Sequence, residues 1–75
     1  MTISRIRPAD LRFGDLITIN GLTTVVRVVD RKAQITYRGT AFPVVYVEGV
    51  QASCRARTTL LPNQEILVVR GAVRA

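Results

Sequence analysis

Apolar and polar residues alternate along most of this chain with a period of two. In "DLITIN" Ile17 and Ile19 fall on one face and Leu16 and Thr18 on the other, the periodicity of a half-buried strand. Asn20-Gly21 follows. Both residues tolerate positive φ, so the pair predicts a tight hairpin and a returning strand over "LTTVVRVVD", residues 22 to 30. A turn at Asp30 to Ala33 leads into "QITY", which ends at Arg38-Gly39. "AFPVVYVEG" predicts a fourth strand, in which Pro43 needs an edge or a bulge because it donates no ladder hydrogen bond. A turn at Glu48-Gly49 opens a fifth strand, "VQASCRART". "TLLPNQE" reads as a short helical turn or loop, and "ILVVR" as the last strand.

Short strands spaced about ten residues apart, with turn formers between them, predict an all-β barrel or sandwich. A chain of 75 residues buries only about 60% of its unfolded surface, enough for one core. We therefore expect a single domain over residues 11 to 72, an N-terminal arm over 1 to 10 and a tail over 73 to 75. Gly14-Asp15 is the tight lead into the first strand, with Asp15 placed to bond nearby backbone amides.

The run "DLRFGDLITINGLTTVVRVV" and the later "LLPNQEILVV" together resemble the small SH3-like β-barrels. That group includes KOW-type nucleic-acid-binding modules and short phage and actinobacterial proteins of unknown function. The resemblance covers roughly residues 10 to 70 and implies an SH3-like barrel of about five or six antiparallel strands. "NGLTTVV" lacks the basic residue and further glycine of a KOW loop, so no functional residue is carried over. A groove for proline-rich peptides needs clustered aromatics, whereas this chain has no Trp and only Phe13, Phe42, Tyr37 and Tyr46.

Composition narrows the chemistry. There is no histidine and one cysteine, so the usual general base and the usual zinc ligand sets are missing. The acids Asp10, Asp15, Asp30, Glu48 and Glu65 each adjoin a turn or element boundary, where they cap or solubilise. The five glycines are scattered singly and form no phosphate-cradling loop. These features predict a non-enzyme with no cofactor and no metal. Cys54 lies among small residues in "ASCRAR" and is expected to be a buried, inert thiol. The lack of a disulfide framework fits a reducing interior. No run approaches the roughly 18 apolar residues of a membrane span and "MTISRIRPADLRF" lacks the apolar core of a signal peptide. A cytoplasmic protein without a membrane partner is expected.

The net charge of +6 attracts polyanions, although arginine-rich, Ala- and Val-rich composition is also what a GC-rich genome encodes throughout. Placement sharpens the reading. Arg55 and Arg57 leave one strand face about 7 Å apart, a spacing comparable to successive phosphates of a nucleic-acid strand. Arg31, Lys32 and Arg38 crown neighbouring turns, and Tyr37 beside Arg38 could stack a base. Arg5 and Arg7 could join them if the N-terminal segment is extended. Arg55, Arg57, Arg31, Lys32, Arg38 and Tyr37 thus form a candidate nucleic-acid site making backbone contacts with little base readout. The alternative for the arginine pair is a solvated face with Ala52, Cys54 and Ala56 turned inward.

A second feature points to a protein partner. With Thr24, Val26 and Val28 inward, Val25, Arg27 and Val29 face out. Phe42, Val44 and Tyr46 are expected inward, leaving Val45 and Val47 over, as are Leu67 and Val69. Strands apolar on both faces are normally covered on both. Either the N-terminal segment, with Ile3, Ile6 and Leu11, folds back over these residues, or another chain does. A strongly bent strand shared by two halves of a barrel would also hide both faces. Two functions follow as expectations: a basic module contacting nucleic-acid backbone, or an interaction or assembly module acting through Val25, Arg27 and Val29. The latter could be homo-oligomeric or a phage protein directed at a host partner.

Overall fold

The computed structural model describes residues 2 to 71; the tail at 73 to 75 and the domain boundary at 72 lie outside the described residues. The fold is all-β. Its strands are β1 (Thr2–Ile6), β2 (Leu16–Ile19), β3 (Leu22–Asp30), β4 (Gln34–Tyr37), β5 (Thr40–Pro43), β6 (Val45–Gln51), β7 (Cys54–Leu60) and β8 (Ile66–Arg70), with one 3₁₀ turn at Pro8–Asp10. Six strands form an antiparallel sheet in the order β1-β8-β2-β3-β6-β7, and β4 pairs with β5 in a separate hairpin. Among the described residues no ladder joins β1 to β7, so the sheet is open and the expected closed barrel does not form.

One face of the sheet builds the core: Leu11, Ile17, Ile19, Val26, Val45, Val47 and Val68 are buried, with Ile6, Val29, Leu60 and Ile66 packed against them. Each fully buried side chain of this kind contributes about 1.5–3 kcal/mol. The alternation in β2 places Ile17 and Ile19 inward, as the sequence predicts. Asn20 and Gly21 take φ of 52° and 79°, the positive pair that a two-residue hairpin requires.

Three local features differ from the expected pattern. The β3–β6 register shifts between Val26 and Val28, so Arg27 is an extra residue in a β-bulge. Beyond a bulge the facing of the strand is inverted. Val28, expected inside, is therefore 44% exposed, while Val29, expected outside, packs on the core. The expected fourth strand divides at Val44, whose amide bonds the Ala33 carbonyl at 3.0 Å. β5 ends at Pro43 and β6 starts one residue later. The inward set consequently changes parity: Val45 and Val47 are core, Tyr46 is half-buried on the outer face and Phe42 is 43% exposed. Finally, β6 runs through Glu48 and Gly49 to Gln51, and the turn falls at Ala52-Ser53. Gly49 is needed there because a Cβ would collide with Thr24 Cγ2 and lie 2.5 Å from the Val25 carbonyl oxygen. Cys54, expected buried, is exposed at the start of the edge strand.

The N-terminal segment does not fold back over the outer valines. Thr2 to Ile6 add an edge strand, with Ile3 opposite Val69 and Arg5 opposite Leu67. The chain then crosses through the Pro8–Asp10 turn, whose proline fixes φ at the first position, and Leu11 plugs the core completely buried. Every residue of β4 and β5 is exposed. The radius of gyration of 12.5 Å and the 41 Å long axis reflect this projecting arm, since a compact chain of this length would have a radius near 11 Å.

A candidate nucleic-acid interface on the outer sheet face

The cross-strand register defines what the outer face presents. One row crosses all six strands: Ile3, Val69, Leu16, Val25, Val50 and Arg55 are successive partners. The next row on β3, β6 and β7 reads Val28, Glu48, Arg57. Arg55 and Arg57 stand two residues apart on the exposed edge, about 7 Å from each other and both exposed. The bulge adds Arg27 to this face beside Val28, two strands away from β7 or about 10 Å. Its guanidinium lies 5.0 Å from the centroid of the Phe13 ring, a cation–π contact that limits its wandering.

Between these arginines lies a groove of about 360 Å³ lined by Arg27, Val28, Glu48, Gly49, Val50 and Arg55. A second recess, lined by Glu48, Arg55, Ala56 and Arg57, adjoins it across the Glu48 side chain. Among the described residues the salt bridges are Arg7–Asp10 at 3.5 Å and Arg70–Asp15 at 3.0 Å. Arg27, Arg55, Arg57 and Glu48 enter neither, so two cations and one anion line the groove without direct pairing, with Arg57 on the adjoining recess.

The sequence-derived candidates separate into three groups. Arg55 and Arg57 belong to this face. Tyr37 and Arg38 sit at the far tip of the β4–β5 arm, with the Arg38 guanidinium 5.3 Å from the Tyr37 ring centroid. There Arg38 and Gly39 adopt φ of 51° and 79°, so a side chain that tolerates the left-handed region poorly holds the turn position usually given to Asn or Gly. Arg31 has a different task. Its Nε donates to the Ala9 carbonyl at 2.6 Å and its Nη2 to that of Leu11 at 2.7 Å, clamping the 3₁₀ turn to the end of β3. Lys32 donates its backbone amide to Asp30 Oδ1 at 2.9 Å, closing the turn.

Of the outward trio, Val25 is half-buried in the long apolar row, Arg27 is exposed at the groove and Val29 is removed to the core by the bulge. Arg27 was legible only as an interruption in a valine run. Its place beside Arg55 depends on the bulge, which periodicity alone does not signal. Glu48, which the sequence pattern places in a turn, lies mid-strand on the groove wall.

Among the described residues no three His, Cys, Asp or Glu side chains gather where they could hold a metal ion. No helix among them is long and apolar enough to cross a membrane. Comparison with protein-family models, with curated proteins and with solved structures finds no match.

Proposed function

We propose that this chain is a small, non-enzymatic module that holds nucleic-acid backbone against the outer face of β3, β6 and β7. Arg27, Arg55 and Arg57 make the phosphate contacts. One observation carries the reading: three exposed guanidinium groups on one face, none in an ion pair among the described residues. Planar guanidinium forks suit phosphate, and each phosphate contact gains by releasing a condensed counterion. Glu48 offsets one of the charges, leaving the groove net positive within an overall charge of +6. Tyr37 and Arg38 at the arm tip, with Lys32 near its base, form a second contact point for a longer strand.

The proposal includes a cytoplasmic setting, in which the exposed Cys54 thiol remains reduced. The test is fluorescence anisotropy of labelled single-stranded and duplex oligonucleotides from low to near-physiological salt. Micromolar or tighter binding that weakens steeply with salt supports the proposal; no binding at low salt refutes it.

A second reading rests on the apolar row. Ile3 and Leu67 are 69% and 60% exposed, and Val69, Leu16, Val25 and Val50 are only half-buried, so the outer face near β1 and β8 is suited to covering by a protein partner.

A further inference from the structure

Glu48 is out of place in a site built for phosphate alone. Its side chain is half-buried in the central strand of the basic face, it forms the wall shared by two recesses, and it makes neither an ion pair nor a hydrogen bond among the described residues. A carboxylate there repels phosphate and accepts hydrogen bonds only. The groove it lines has an apolar side, from Val28 and Val50, and two cationic walls, from Arg27 and Arg55. Its volume of about 360 Å³ falls at the lower end of the roughly 300–1,000 Å³ typical of small-ligand sites. The groove therefore combines a surface for a flat ring, an acceptor and two forked donors.

Among the bases this combination fits guanine. The Watson–Crick edge of guanine carries two adjacent donors, N1–H and the N2 amine, which a carboxylate accepts as a pair. Its O6 and N7 form the acceptor pair that arginine reads. Adenine and cytosine each offer one amine beside a ring-nitrogen acceptor, and thymine and uracil offer one N–H flanked by two carbonyls, which a carboxylate repels. The Watson–Crick edge is free only in single strands, where sequence-reading proteins stack and bond splayed bases.

Resting on the nucleic-acid reading above, we propose that the Arg27–Glu48–Arg55 groove selects a guanine base of single-stranded nucleic acid. Glu48 accepts from N1–H and N2–H, an arginine donates to O6 and N7, and Val28 and Val50 pack on the ring. Arg57 holds backbone outside the groove.

The experiment compares labelled thymine-tract DNA oligonucleotides that differ at one central base: thymine, adenine, cytosine, guanine or inosine, which is guanine without its N2 amine. At fixed salt, one guanine should tighten binding about tenfold over thymine, the discrimination typical of a good bidentate pair, and inosine should lose a large part of that gain. Glu48→Gln should erase the preference while keeping salt-dependent binding. Equal affinity for all five oligonucleotides with a steep salt dependence would overturn base selection and leave backbone binding standing. Failure of every oligonucleotide to bind at low salt would overturn both. Because the guanine-to-inosine comparison uses the unaltered protein, the result does not depend on how a variant folds.

Discussion

Arg70 reaches from the last strand to Asp15 just before β2, its Nε 3.0 Å from Oδ1 and its Nη2 3.2 Å from Oδ2. The Asp15 side chain is only 5% exposed, and its Oδ2 also accepts the Arg12 amide at 2.9 Å. Arg70 completes the bridge by donating to the Asp10 carbonyl at 2.8 Å. This pair ties the turn before β2 to β8 where the two strands share a single paired position, Leu16 with Val69. Asp15→Asn leaves the Arg70 cation without its counter-charge, and breaking such a pair from one side costs about 3 kcal/mol or more when it is buried. The 29% exposure of Arg70 moves the expectation to the low end. Urea denaturation of the variant should show that loss in the midpoint, and a midpoint equal to that of the parent would mean the bridge is unimportant.

The bulge at Arg27 makes opposite predictions for adjacent valines. Val29 packs on the core whereas Val28 is 44% exposed beside the groove. Val29→Asp buries an unpartnered carboxylate and should unfold a domain whose total stability is only about 4–11 kcal/mol on a per-residue scaling. Val28→Asp should fold, with a circular-dichroism spectrum like that of the parent. The reverse outcome would mean that the bulge is misplaced by one residue.

These two valines also show how far the sequence could be read. Strict alternation located the β2–β3 hairpin because its turn residues, Asn20 and Gly21, and its inward pair, Ile17 and Ile19, report the same register. Alternation failed after Arg27, since one inserted residue reverses every later assignment on the strand. It failed again in "AFPVVYVEG", where an all-apolar run carries no phase and Pro43 shifts the strand start to Val45. Arg55 and Arg57 were legible as a pair because polar residues on an edge strand keep the simple period. Their grouping with Arg27 and Glu48 depends on long-range register and could not be read locally. Likewise, nothing in "DRKA" signals that Arg31 would bond carbonyls some twenty residues earlier.

Gly49 lets β3 and β6 approach where the groove meets the core. In Gly49→Ala the added methyl meets the Thr24 side chain and the Val25 carbonyl, and that carbonyl is backbone that cannot move without breaking the ladder. Overpacking of this kind typically costs about 1–3 kcal/mol. Thermal unfolding should report it as a clear fall in Tm, and an unchanged Tm would show that the two strands have room to part.

Arg31 separates a structural cation from a binding one. Loss of its two bonds to Ala9 and Leu11 in Arg31→Ala should destabilise the chain by about 1.5–3 kcal/mol, the range for hydrogen bonds to charged groups. The salt dependence of oligonucleotide binding should stay that of the parent at temperatures where the variant is folded. A flattened dependence would instead place Arg31 in the interface.

The most direct measurement compares the parent with Arg27→Ala/Arg55→Ala/Arg57→Ala, following single-stranded oligonucleotide affinity across a salt series and checking the fold of each by circular dichroism. If the outer face of β3, β6 and β7 holds the backbone, the folded variant should bind much more weakly. The slope of log affinity against log salt should flatten by up to about one unit for each arginine removed. A folded variant with the affinity and slope of the parent would contradict the account and move the interface away from this face.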